Sequence, residues 1–473
     1  MAEDKVLTMG AQDAPDAVYD ARKLGRPKMI LFGFQHMFAM FGATIMVPAL
    51  TGLSVSATLL FAGLGTLLFH VLAKGKVPAF LGSSFAFIAG YAAIAPAGEP
   101  ELLPYACLGV ACSGLLYFIL SALFKAFGPS RVMRFFPPVV TGPIVIAIGL
   151  TLASSAVANC ETNWLVALIA IATIVVCNIW GRGMVRIIPI LLGVVVSYAA
   201  AALLGECDFT AVAEADWIGL PVLWDNTVFS LFGPSFDSGL AITAIITIMP
   251  IALATMIEHI GDMSAISFTC NRNYIANPGL HRTLLGDGIA TILASLFGAP
   301  ANTTYGENTG VLALTRVFDP RVVRLAALFA ILFSFCPKFA AVIAVMPACV
   351  IGGVSLVLYG MISSVGIRNL VENHVDFMKS RNILITALIL VLSIGIAYSA
   401  AGAIQFAVAG LTISLSGLAV GSVAGIVLNI VLPGKDGDGI EPAKSHDEGP
   451  AGEEHYPLEG PAPYEESMLQ EGR

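Results

Sequence analysis

Apolar runs of roughly 20 residues recur along this chain from about Met29 to Leu432, and few charges interrupt them. A helix needs about 20 apolar residues to cross the hydrocarbon core of a bilayer, so each run is a candidate span. Charged residues make up only 12% of the chain, against about 25% in soluble domains. The chain therefore reads as an all-α integral membrane protein, with the lipid bilayer as its first partner. The first 28 residues mix acidic and basic side chains and lack an apolar core, so no cleavable signal peptide is expected. The formal net charge of −8 resides in the tail, where residues 434–473 hold 11 acidic and 3 basic side chains. That tail is rich in Gly, Pro and Glu and is expected to be disordered. Nothing in the charge points to nucleic acid.

Fourteen membrane segments are expected, near 29–50, 55–73, 78–95, 104–127, 137–157, 164–180, 187–204, 239–260, 283–298, 301–317, 324–340, 346–364, 381–398 and 406–432. Lys and Arg accumulate in cytoplasmic loops, which tests the count. With the N-terminus inside, the basic clusters at 23–28, 74–76, 125–134, 182–186, 272–282, 316–324 and 368–381 all fall inside. Only Lys338 falls nearer the outside, and the acidic segment from Glu206 to Asp237 lies outside. The expected division is a cytoplasmic N-terminal segment (1–28), a membrane domain (29–432) and an acidic cytoplasmic tail (433–473).

The two halves echo each other. "SSF" at 83–85 parallels "TTY" at 303–305, and "FPPVVTG" at 136–142 parallels "MPACVIG" at 346–352. The first pair falls in spans three and ten, the second in spans five and twelve. Seven spans per repeat is an odd number, so the second half inserts upside down. Inverted repeats with interrupted spans mark secondary transporters whose site lies near the midplane. Chance similarity between apolar segments is the plain alternative; two matches in the same order weigh against it. Spans three and ten, "PAFLGSSFAF" and "PANTTYGENTG", combine small polar, β-branched and Gly residues that form helix poorly. Each reads as a short extended piece leading into a half-helix. Irregular backbone at membrane depth is tolerated where it is buried in protein or lines a cavity.

Ionisable groups inside spans are costly and functional by default. Here they are His36, Glu258, His259, Asp262, Asp287 and Glu307, with His70 near a helix end. Glu258 and Asp262 are four apart and share one face of span eight, and Glu307 belongs to broken span ten. Convergence of spans three, eight and ten would give a cavity with two or three carboxylates. The bland alternative ties each acid to hydroxyls or backbone N–H groups, and Asp287 between Gly286 and Gly288 fits either reading. His36 and His259 read better as hydrogen-bonded packing residues. Two carboxylates and backbone donors suit a flat, neutral ring carrying both N–H and C=O groups. Uracil has two of each, although residue type alone does not choose it over another imide-like solute. Crowded carboxylates in a dry site hold protons more tightly, a physical basis for proton coupling.

The motifs "GFQHMFAMFGATIMVP" (33–48), "FLGSSFAFI" (80–88), "EHIGD" (258–262), "NPGLHR" (277–282) and "NTTYGENTGVLALTR" (302–316) resemble the nucleobase–ascorbate transporter family, on its bacterial uracil-carrying branch. The family signature Glu/Gln-Asn-x-Gly-x4-Thr-Arg reads here as Glu307, Asn308, Gly310, Thr315 and Arg316. The resemblance covers roughly 29–432. It implies a core of spans 1–4 and 8–11, a gate of spans 5–7 and 12–14, and a uracil:proton symporter of the bacterial inner membrane. It also implies that Glu258 and Glu307 hold the base, that the Phe85 and Gly306 amides read its carbonyls, and that Tyr305 shapes the pocket. Glu258, Asp262 and Glu307 would couple protons, and Gln35, His36 and Asn308 would support the site. Position 262 departs from the pattern: uracil carriers place a His there, and Asp resembles purine-type members. A xanthine or broader nucleobase carrier is thus the second reading. No catalytic residue, metal or cofactor is implied beyond the coupling proton, and the assembly, a homodimer included, stays open.

Two other classes remain. Anion carriers of the sulfate and bicarbonate type use the same inverted-repeat fold, but an anion site wants positive charge and this one offers acids. An intramembrane metalloenzyme would draw on Glu258, His259, Asp262 and Glu307, yet the adjacent Glu-His pair points to different faces, unlike zinc helices. The eight cysteines show no metal-like spacing. Only Cys160 and Cys207 fall where an external disulfide is conceivable.

Overall fold

Caps and prolines set many helix boundaries of this chain. The computed structural model describes residues 17–434 apart from 234–235 and 409–410. The expected acidic tail therefore lies almost wholly outside the described residues. Helix α1 (Arg26–Thr51) starts with Pro27 in its first turn and stops at Gly52, whose φ of 78° is left-handed. Ser54 then caps α2 (Val55–Leu72) by accepting from the Ala57 N–H. After a short strand β1 (Leu81–Ser83) come α3 (Ile88–Ile94), α4 (Leu103–Phe127), α5 (Pro138–Thr151) and α6 (Ala153–Glu161). Asn163 caps α7 (Trp164–Ile179), followed by α8 (Pro189–Leu203). Asp237 caps α9 (Ser238–Ile248), which runs through a 3-10 turn into α10 (Ala252–Thr269). Next are α11 (Leu280–Leu296), strand β2 (Asn302–Thr304), α12 (Gly306–Thr315), α13 (Pro320–Ser334), α14 (Pro337–Ala344), α15 (Ala348–Glu372) and α16 (Ser380–Ala397). A hairpin of β3 (Ala403–Val408) and β4 (Leu411–Ser416) leads into α17 (Gly417–Val431).

Among the described residues seven helical stretches are long and apolar enough to cross a membrane, and α13 with α14, bent by 87°, makes an eighth if counted together. Helices α7, α8 and α17 are apolar but shorter. The chain is a multi-pass membrane protein.

Several boundaries differ from the sequence reading: α10 runs on to Thr269, α15 to Glu372, and the span read over 324–340 is broken between α13 and α14. The first helix starts at Arg26, inside the segment assigned to the cytoplasm, because Pro27 suits a first helical turn. The segment read as one span over 406–432 is a hairpin followed by a 15-residue helix. Its first half alternates apolar and polar residues with period two (Ile404, Phe406 against Gln405; Ile413, Leu415 against Thr412, Ser414), which is a strand pattern. Hydropathy alone does not see that period.

Helix packing forms two groups. Helix α4 packs on α11 and α9, α11 on α2, and α13 on both α1 and α2. In the other group α15 packs on α5, α6 and α7, α7 on α8, and α16 on α5 and α17. Gly114 and Gly288 let α4 and α11 approach, since a Cβ on either would overlap Ile292 or Tyr117. Helix α10 touches both groups, through α4 and α11 on one side and α5 and α17 on the other.

The N-terminal strap ties down the ends of the first group. Val18 bridges Val317, Tyr19 donates to the Cys270 carbonyl (2.9 Å), and Arg272 sits 4.2 Å over the Tyr19 ring. Asp20 meets Arg22 and Arg321, and these guanidiniums, Arg22 foremost, hold its carboxyl well below the usual range. All eight cysteines are free thiols, Cys160 and Cys207 included.

A candidate binding site between two half-helices

Strands β1 and β2 pair antiparallel across the whole sequence: Leu81 with Thr304, Gly82 with Thr303, Ser83 with Asn302. A ribbon of two three-residue strands leaves backbone groups that lipid cannot satisfy, and neighbouring helices supply the partners. Thr66 of α2 accepts from the Leu81 N–H at 2.9 Å, Asn302 donates its amide to the Phe61 carbonyl at 3.0 Å, and Thr291 of α11 donates to the Asn302 carbonyl at 2.9 Å. The ribbon is thereby fixed as a rigid crossing point. Each strand then leads into a half-helix, β1 into α3 and β2 into α12, as the composition of spans three and ten suggests.

At these junctions the Ser84 N–H donates to the Ala301 carbonyl (2.8 Å) and the Tyr305 N–H to the Phe80 carbonyl (3.0 Å). No backbone carbonyl among the described residues accepts from the N–H of Phe85 or Gly306. The Gly306 amide opens α12, where the helix macrodipole favours an oxygen ligand, and the Phe85 amide lies in the turn three residues before α3. Tyr305 is buried; its hydroxyl donates to the Ser83 carbonyl at 2.9 Å, and its ring lies where a Cβ on Gly82 would be. Phe85 meets Tyr359 edge-on at 5.8 Å and, with Ile148 and Thr151, lines a cavity of about 30 Å³.

The acids gather on the other side. Glu258 of α10 and Glu307 in the first turn of α12 are half-buried, and Asp262 is 8% exposed. Asp262 lies one turn from Glu258 on α10, and α10 packs on α12, which carries Glu307. Among the described residues Glu258, Asp262 and Glu307 form no salt bridge. Asp262 Oδ2 accepts from the Thr304 hydroxyl at 2.6 Å. Asn308 Nδ2 lies 3.1 Å from both Nδ1 and the carbonyl oxygen of His36, so α12 is held against α1; both residues are buried. Gln35 is buried beside them in sequence and makes no side-chain hydrogen bond through its Oε1.

Spans three, eight and ten therefore converge, through the ladder, through the contact of α10 with α12 and through Thr304–Asp262. Two relationships escaped the sequence. His259 Nδ1 lies 3.0 Å from Asp287 Oδ2, both side chains fully buried, which pairs two residues weighed separately. Thr304 drew no notice as a side chain because a threonine in an apolar run reads as a strand former. Its sequence signals are its place in the repeated "SSF"/"TTY" triplet and its position two residues before a glycine that opens a helix.

A model of the Permease family matches residues 27–402 of this chain. The uracil permease of Bacillus subtilis (strain 168) is 38% identical over 455 residues, covering 93% of this chain and 99% of that protein. The uracil permease of Bacillus caldolyticus is 42% identical over 421 residues, covering 86% and 92%. Among solved structures, the overall structure of SLC26A9 aligns with a TM-score of 0.60 at 13% identity, over 90% of this chain and 69% of that one. The transmembrane domain of the cyanobacterium bicarbonate transporter BicA aligns with a TM-score of 0.54 at 15% identity, over 88% and 99%. At such identities the structural likeness speaks to the fold alone.

Proposed function

The chain belongs to the Permease family, a family of transporters rather than enzymes, and from that premise we propose that it imports uracil by proton symport. The observation that carries this reading is that half-buried Glu258 and Glu307 stand on α10 and α12, which pack together, while the N–H groups of Gly306 and Phe85 donate to no backbone carbonyl among the described residues. A carboxylate accepts from a ring N–H, and an amide at a helix start donates to a ring carbonyl. Uracil supplies two of each in one plane. Tyr305 walls the pocket beside them. The names of the relatives, uracil permeases at 38% and 42% identity, point to the same base.

Three acids without a cationic partner do not all ionise cheaply in a dry site. A proton shared among Glu258, Asp262 and Glu307 is then the natural co-substrate, and neither metal nor cofactor is invoked. The anion-carrier reading gains nothing from the fold neighbours, since the site is lined with acids.

The architecture we assign is fourteen spans in two inverted repeats. We count toward that number the seven long helical stretches, the bent α13–α14 pair, the short α7, α8 and α17, helix α11 and the two strand–half-helix units. The antiparallel ladder of β1 with β2 is the relation that a two-fold axis in the membrane plane imposes. The two packing groups support a division into a core of spans 1–4 and 8–11 and a gate of spans 5–7 and 12–14. The basic loops favour cytoplasmic termini in a bacterial inner membrane.

Asp262, where uracil carriers of the resembled family hold a His, favours one second reading, a xanthine or broader nucleobase carrier. Competition decides: labelled uracil bound to purified protein should be displaced by uracil and weakly by xanthine or hypoxanthine. Displacement by xanthine at lower concentration than uracil overturns the uracil assignment.

A further inference from the structure

Asp262 and Thr304 sit on different broken pieces of the fold, one on α10 and the other at the end of β2. The Thr304 hydroxyl donates to Asp262 Oδ2 at 2.6 Å, short as charge-assisted bonds are. Both side chains are buried, at 2% and 8% exposure. Two residues further along, α12 begins at Gly306, whose N–H has no backbone acceptor among the described residues. The missing Cβ of Gly306 would sit 4.0 Å from the other carboxylate oxygen, Asp262 Oδ1, with nothing else within that distance. One oxygen of Asp262 is thus held by Thr304 while the other looks toward the start of the half-helix that carries Glu307.

We propose that Thr304 is a positioning residue for substrate recognition: through Asp262 it pins the start of α12, so that the Gly306 amide and Glu307 keep the geometry the base requires. The rest of the junction is fixed from the β1 side, by Tyr305 to the Phe80 carbonyl and by the Tyr305 hydroxyl to Ser83. The Thr304–Asp262 bond is the attachment to α10, the helix of Glu258. Among the described residues it is the one side-chain hydrogen bond that joins α10 to β2 or α12. Asp262 then has a recognition role as well as a place in the acid cluster.

This inference rests on the uracil reading for its binding arm, and a second arm is independent of any ligand. Thr304→Val keeps shape and removes the hydroxyl; Thr304→Ser keeps the hydroxyl. Hydrogen–deuterium exchange of the 302–312 segment is measured on ligand-free protein in detergent, and uracil affinity on the same preparations. Thr304→Val should raise exchange there and weaken uracil about tenfold, the scale of one charge-assisted bond, while Thr304→Ser stays near the parent. Asp262→Ala should reproduce the change, and adding Thr304→Val to it should do nothing more. Unchanged exchange in Thr304→Val, or losses that add in the double variant, overturns the proposal. Parent protein that fails to bind uracil overturns the uracil reading instead, and the exchange comparison still decides the role of Thr304.

Discussion

Asn308 is hydrogen-bonded twice to one residue: its Nδ2 lies 3.1 Å from both the imidazole Nδ1 and the backbone carbonyl of His36. With both partners accepting, the amide NH2 is the only group of Asn308 that fits, and Nδ1 is the lone-pair nitrogen of His36. The pair fastens the half-helix of Glu307 to the first span. Asn308→Asp places an oxygen against two acceptors and should cost about 1–3 kcal/mol of stability. Thermal unfolding of detergent-purified protein checks this. An unchanged midpoint with unchanged uptake would remove the pair from the support of the site.

Gly82 meets the Tyr305 ring so closely that a Cβ would overlap it. Gly82→Ala should push Tyr305 off the Ser83 carbonyl, with a packing cost of about 1–3 kcal/mol. A crystal structure of the variant reports the displacement directly. A Tyr305 side chain still bonded to Ser83 would contradict it.

Much of this organisation is written in the sequence at the level of composition. The small polar residues of spans three and ten forecast extended pieces, and β1 and β2 stand at 81–83 and 302–304. The four-residue spacing of Glu258 and Asp262 forecast a shared helix face. What stayed hidden depends on three-dimensional neighbours. His259 meets Asp287 only because α10 and α11 cross at that level. The β3–β4 hairpin was lost in an apolar run whose hydropathy fits a span equally well, although its period of two is visible once sought.

The two acids of α10 should differ in kind. Glu258→Gln replaces one carboxylate oxygen with an N–H that opposes the ring donor, and should abolish binding and uptake together. Asp262→Asn keeps an oxygen for Thr304 to donate to, so uracil affinity should stay within about tenfold, the worth of one hydrogen bond at most. Uracil binding isotherms for both variants settle the division. Equal collapse in Asp262→Asn would make Asp262 a direct ligand.

Coupling to protons is tested in right-side-out vesicles. Uptake of labelled uracil should rise with an inward proton gradient and vanish with a protonophore. Sodium replaced by potassium at constant pH should leave it unchanged. Uptake that follows sodium and ignores the proton gradient would change the coupling ion and leave the base-binding geometry intact.

The central claim is that the acid in the first turn of α12 holds the base, and Glu307→Gln tests it most directly. Glu307 is the acidic residue of that turn, and in the proposed reading its carboxylate accepts from a ring N–H. An amide there loses a charge-assisted bond and can turn its own N–H groups against the ring donor. The loss should be about 2–4 kcal/mol, roughly 30- to 1000-fold in affinity. Equilibrium binding of labelled uracil to purified Glu307→Gln protein, with its unfolding midpoint matched to the parent, gives the answer. A folded variant that has lost at least thirtyfold in affinity is the result the account predicts; a folded variant that binds uracil as the parent does would contradict it.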